Sequence, residues 1–205
     1  MLVAEKILIK QMGRVEYRSA LDAMRAFTAE RGADTADELW LLEHPPVYTL
    51  GLAADAAHGP NDGGAIPVVQ VERGGEITYH GPGQVILYTM VDLARRGIKV
   101  KQFVAMLEQS VIDLLGSRAG RKPGAPGIYV GGAKVAALGI RVSRGCAYHG
   151  LALNVDMDLT PFSAIDPCGY PGLKVTQTRD LGIAEDKEIL GGKLAGILVE
   201  KLEHA

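Results

Sequence analysis

The chain has 205 residues, 47% hydrophobic and 22% charged, with a formal net charge of −2. These values suit one soluble packed domain spanning residues 1–205, and the slight negative charge excludes bulk nucleic-acid binding, which needs a strong basic excess. No apolar run approaches the ~20 residues of a membrane span. Glu5, Lys6 and Lys10 also interrupt the stretch that a signal peptide would keep apolar, so a cytoplasmic setting is expected, with no membrane partner.

In chain order, Tyr17, Leu21, Met24 and Phe27 fall at helical spacing over 17–31, and Gly32 is a natural stop. "ELWLLEHPPVYTLG" reads as a buried strand ended by Pro45 and Pro46, then a second short strand. "IPVVQVE" and "QVILYTMVDL" are further strands, one on each side of a glycine-rich stretch. A helix is predicted over about 100–115, with Phe103, Val104, Leu107, Val111 and Leu114 on one face and Gly116 at its end. Residues 117–126 read as an exposed loop. "GIYVGGAKVAALGIRV" is a hairpin turning at Gly131 and Gly132, and "AYHGLALNV" adds a strand. Residues 159–180 hold Pro161, Pro167 and Pro171 and read as irregular, before a closing helix at about 185–203. Strands outnumber helices and come in runs, so the fold class is α+β with a mixed, largely antiparallel sheet and flanking helices. The GxGxxG fingerprint of a dinucleotide fold is absent.

Glycine is the unusual count, 26 of 205 against an ordinary ~7%. Four glycines fall in "RGGEITYHGPGQ", residues 73–84. Two would make a wide turn. Four, bracketed by Arg73 and His80, favour a loop whose N–H groups face a ligand.

Two cysteines are too few for a disulfide scaffold. Cys146, in "RGCAYHGLAL", has the apolar neighbours of a buried hydrophobe. Cys168, in "DPCGYPG", sits on a constrained turn and is the candidate nucleophile. A free thiol, with a pKa of ~8.5, needs a nearby cation or base, and Lys134, His80 and His149 are the candidates. Lys134 lies among small and apolar residues. It is either an exposed lysine at a hairpin end or a lysine in a cleft, where desolvation suits it to acid–base work. Cys146 and His149 have C-x-x-H spacing, but zinc sites usually need two such pairs, so no metal is expected.

"RGGEITYHGPGQ", "GGAKVAALGIRV", "YHGLALNVDMDL" and "PCGY", with "EHPPVYTLG" and "RKPGAPGIYV", stand in the order and spacing of the lipoyl(octanoyl) transferases, also called lipoate–protein ligase B. The chain resembles that family over about residues 38–180. The resemblance implies the α+β fold of biotin and lipoate protein ligases. It also implies transfer of an octanoyl group from octanoyl-acyl carrier protein to a lysine of lipoyl domains, either of 2-oxoacid dehydrogenase E2 subunits or of the glycine-cleavage H protein. By the same resemblance Cys168 is the acyl-thioester nucleophile and Lys134 the lysine that lowers its pKa. Arg73, Gly74, Gly75, Glu76, Ile77, Thr78, Tyr79 and His80 match substrate-contacting positions. So do Ala137, Leu138 and Gly139, and Gly150, Leu151 and Ala152. His149 and His44 are possible supporting residues, and no cofactor is implied.

Under this reading the glycine-rich loop and a turn at Gly150 would offer N–H groups to the oxyanion. Arg95, Arg96, Lys99 and Lys101, or Arg118, Arg121 and Lys122, would dock the acidic carrier. The alternatives are an ATP-dependent lipoate or biotin ligase of the same fold, which has no need of Cys168, and an inactive carrier-binding module.

Overall fold

The computed structural model describes residues 6–54, 60, 61, 63–166 and 172–205. The chain runs β1 (Leu8–Arg14), α1 (Tyr17–Glu30), β2 (Glu38–Glu43), β3 (Val47–Leu50), β4 (Val68–Gln70), β5 (Ile77–His80), β6 (Gln84–Asp92) and α2 (Val100–Leu115). It continues through β7 (Ala119–Lys122), β8 (Ala125–Val130), β9 (Ala133–Ser143), β10 (Cys146–Asn154) and α3 (Lys187–Glu203). Among the described residues, seven strands form one mixed sheet in the order β1-β2-β6-β10-β9-β8-β7. Only β1 and β2 are parallel within it. A smaller sheet, β4-β3-β5, lies beside it. No helix among the described residues is long and apolar enough to cross a membrane.

Side chains alternate across a strand with period two, and here both faces of the central strands are covered. Leu39 and Leu41 of β2, Val85 and Leu87 of β6, and Leu151 and Leu153 of β10 face an aliphatic core built with α2 and α3. Their neighbours Trp40, Leu42, Ile86, Tyr88, Tyr148 and Ala152 face α1, where Tyr17, Leu21 and Met24 complete a second, more aromatic core. A third cluster, with Tyr48, Tyr79 and Phe162, lies against the small sheet. The two-residue hairpin at Gly131 and Gly132 has positive φ at both positions, 57° and 83°, as a tight turn between twisted strands requires.

Two features differ from the sequence reading. Residues 119–122 form an edge strand paired with β8 where a loop was expected. Its "AGRK" sequence has no apolar alternation, and basic residues are a common guard on a sheet edge. The opposite edge, β1, was not predicted as a strand because most of its side chains are exposed and carry no strand pattern.

The first basic cluster proves largely structural. Arg31, Arg95 and Arg96 all bond the fully buried Asp37, at 2.6, 3.0 and 2.5 Å. Burial pushes the Asp37 carboxyl up, but the Asp92 amide and these arginines carry it below the ordinary carboxylate range. In the second cluster Arg121 pairs with Glu108, and Arg118 donates to the Leu181 carbonyl.

Candidate active site

The glycine-rich segment crosses the sheet as a strap. Gly74 N–H donates to Ile140 O of β9 at 3.0 Å, while the carbonyls of Arg73, Gly75 and Glu76 accept from the amides of residues 51–53. Close approach is what the glycines permit, but the approaching groups belong to the protein. A Cβ at Gly139 would lie 2.7 Å from Gly74 O, and one at Gly150 would lie 2.1 Å from Leu87 O. The expected ligand-facing N–H at Gly74 is thus taken by the fold. Gly150 lies within β10, paired with Gly139 and Tyr88, and not on a turn.

Beneath the strap is a cavity of about 500 Å³, mouth included. Arg73, Gly75, Glu76, Ile77, Thr78 and His80 line one wall. Ala137, Leu138 and Gly139 of β9 and His149, Gly150, Leu151 and Ala152 of β10 line another. Tyr17, Ile86 and Tyr88 complete it, and sequence reasoning placed these only on a helix and a strand. The signal available was a phenol set among aliphatic residues, since a buried hydroxyl needs a partner. Tyr79 points away, into the cluster with Tyr48 and Phe162.

Three buried histidines surround this space, graded by their hydrogen bonds. His44 lies behind the wall. Its Nδ1 is 2.6 Å from Val15 O, an acceptor, so Nδ1 carries the proton and Nε2 accepts from the Tyr88 hydroxyl at 2.8 Å. At the next station Asn154 Nδ2 donates to Thr176 O, Gln84 Nε2 donates to Asn154 Oδ1, and Gln84 Oε1 therefore accepts from His80 Nδ1 at 2.8 Å. That leaves His80 Nε2 as an unprotonated nitrogen on a ring that lines the cavity.

His149 is 1% exposed, and neither ring nitrogen has a hydrogen-bond partner among the described residues. Burial holds all three imidazoles neutral, lowering His44 to about 4 and His80 and His149 to about 3. The buried Arg73 adds to the effect on the last two. Arg73 is itself anchored, donating to Thr49 O and Oγ1 at 2.8 Å.

A second, smaller cavity adjoins the first through Thr78 and Ala137 and is lined by Lys134, Gln84, Asn154, Phe162 and Val175. Lys134 is only 4% exposed. Its Nζ donates to Pro126 O at 3.0 Å and lies 5.4 Å from the Tyr129 ring centre. Lys134 N–H donates to Lys174 O, and Thr176 N–H donates to Lys134 O, so residues 174–176 run alongside the lysine. Cys168 lies outside the described residues. Cys146 is buried, its thiol pushed up chiefly by burial, and it does not line either cavity. Among the described residues no cluster of three or more metal-ligating side chains forms.

Residues 16–186 match the lipoyl protein ligase A/B catalytic domain. An octanoyltransferase of Thiobacillus denitrificans is 62% identical over 182 residues, covering 86% of this chain and 82% of the relative. The chain belongs to the octanoyltransferase branch of this family. An octanoyltransferase of Azoarcus is 54% identical over 203 residues, 98% of this chain and 89% of its own. These relatives are named octanoyltransferases, and the chain is an acyltransferase enzyme like them. Its fold matches a lipoate-protein ligase A bound with ATP, with a TM-score of 0.75 at 14% identity over 97% of this chain and 92% of that one. It also matches a biotin protein ligase from Aquifex aeolicus, with a TM-score of 0.61 at 13% identity over 96% and 70%.

Proposed function

We propose that the chain acts as one catalytic domain that moves an octanoyl group from octanoyl-acyl carrier protein to a specific lysine of a lipoyl domain. The acceptors under this reading are 2-oxoacid dehydrogenase E2 subunits and the glycine-cleavage H protein. The observation that carries it is the layout of the two cavities. A largely apolar space free of cationic histidine adjoins a buried lysine, and that lysine is flanked by residues 174–176, downstream of Cys168.

Cys168 Sγ attacks the thioester carbon: a new C–S bond forms, the carrier's C–S bond breaks, and the carrier leaves as a thiol with the proton that Cys168 gave up. The acceptor lysine amine then attacks the same carbon. A C–N bond forms, the Cys168 C–S bond breaks, and one proton passes from the amine to the departing sulfur. Lys134 stabilises the Cys168 thiolate and carries that proton. The donor is already activated as a thioester and the product amide is more stable, so no ATP enters. Arg73, Gly75 to Thr78 and His80, with Ala137 to Gly139 and Gly150 to Ala152, hold the acyl chain, while Gly74 and Tyr79 are engaged by the fold. Lys99 and Lys101 remain for the acidic carrier, since Arg95 and Arg96 are held by Asp37.

Intact mass after mixing with octanoyl-carrier protein, without ATP, tests this. One octanoyl addition is expected, mapping to Cys168, absent in Cys168→Ser and retained in Cys146→Ser. An adduct on Cys146, or one that appears only with ATP, would overturn it.

A further inference from the structure

His149 occupies a position that strand geometry does not favour. Its neighbours Ala147 and Leu151 face the aliphatic core, and alternation along β10 would send the residue between them to the same side. Instead its backbone is left-handed, with φ 62°, which a non-glycine residue adopts at a cost. The ladder between β10 and β6 skips Tyr148 and His149, and the Thr89 hydroxyl caps His149 O at 3.0 Å. The ring is thereby turned onto the cavity side, stacked on its own neighbour Tyr148 at 5.1 Å and 23°. It lines the cavity with both nitrogens unpartnered among the described residues. A buried polar group without a partner is costly, and backbone distortion that produces one points to a ligand.

A neutral imidazole offers one N–H donor and one lone pair. A hydroxyl can both accept and donate, so it can satisfy either nitrogen. The β9 partner of His149 is Ile140, on the far side of Ala137, Leu138 and Gly139 from Lys134, and a β-bulge between Lys134 and Ala136 shortens that stretch of strand. His149 therefore stands at the end of the cavity away from the lysine. We propose that His149 is a hydrogen-bonding subsite for the far end of the acyl chain. The cavity accordingly favours a medium-length acyl group with a distal hydroxyl over its plain counterpart. This rests on the reading above, in which the thioester end of the chain lies toward Lys134.

The test compares kcat/KM for ω-hydroxyoctanoyl- and octanoyl-carrier protein, without ATP, in the wild type, His149→Gly and His149→Asn. Glycine and asparagine both tolerate a left-handed backbone, and only asparagine keeps a donor and an acceptor. The hydroxy-to-plain ratio is expected to fall ~10-fold or more in His149→Gly and to be partly retained in His149→Asn. A ratio equal in the wild type and His149→Gly overturns the subsite, with octanoyl transfer itself intact. Failure of the wild type to transfer plain octanoate would instead overturn the parent reading and this proposal with it. Histidine ¹⁵N resonances give a readout independent of variant folding. The His149 ring signals should move with ω-hydroxyoctanoic acid and not with octanoic acid, and equal responses to both acids overturn the proposal.

Discussion

The two faces of the main sheet are built from the same strands but by different rules. Toward α2 and α3, Leu39, Val85, Leu87, Phe103, Leu107, Leu153 and Leu194 make a dry aliphatic contact. Toward α1 and the strap, every second residue of those strands meets Tyr17, Tyr88 and the buried imidazoles of His44, His80 and His149. The first face needs only shape and apolar area. The second also needs partners for its polar groups, and it leaves some of them turned toward a cavity. Stability can rest on the first face while the second keeps polar groups in place for a ligand.

Acid should separate the faces most. The three histidines have folded pKa values depressed to between about 3 and 4, so the unfolded chain binds more protons below its ordinary histidine value. Their stability is full above pH ~6.5 and falls as the pH drops toward those folded values, by ~1 kcal/mol per pH unit for each histidine. The paired carboxylates act only further down. Glu72, lowered to about 2 chiefly by its bond to Arg25, loses its contribution below the ordinary carboxylate range. Urea unfolding at pH 7, 6, 5 and 4 should show this slope, with about one proton less in His80→Gln. A flat profile between pH 6.5 and 4 would mean the rings are not held neutral.

On the aliphatic face, Phe103→Ala should cost ~3–5 kcal/mol by urea denaturation, with kcat per folded molecule unchanged. On the site side, Lys134→Ala should slow turnover by ~100-fold or more with stability affected less than in Phe103→Ala. Lys134→Arg keeps the charge without a readily lost proton. It should still form the acyl-enzyme yet fail in transfer to the acceptor. Normal turnover in Lys134→Ala would remove the lysine and leave His80 Nε2 as the base. The smallest effect is expected for Tyr88→Phe, ~1–2 kcal/mol, because His44 Nε2 loses its partner. A neutral result there would show that water replaces the phenol.

The aliphatic face was the legible one. The apolar runs of β2, β6 and β10, the helical spacing of α1 and α2, and the Gly131–Gly132 turn all follow from local patterns that tertiary packing reinforces. The edges were not legible, because β1 and β7 bury little and their sequences carry no alternation. At the site, the segments were visible but some of the reasons were not. The glycines suggested room for a ligand, whereas Gly139 and Gly150 make room for the carbonyls of Gly74 and Leu87. Lys134 could have ended an exposed hairpin, and the contacts that enclose it, with Pro126, Tyr129 and residues 174–176, are not visible in spacing. His149 was named as a candidate, but the direction its ring takes could not be read from spacing, since it depends on a backbone angle that departs from the strand pattern.

In the proposed reaction, transfer from the enzyme to the acceptor is the step that would join the cavity, Cys168 and Lys134. It is followed most directly by isolating the octanoylated protein free of donor and ATP, adding an unmodified lipoyl domain, and tracking both intact masses through a single turnover. The octanoyl mass should leave Cys168 and appear on one lysine of the acceptor, mole for mole. An acyl-enzyme that persists, or transfer that waits for ATP, would contradict the assignment of this site to thioester-to-amide exchange.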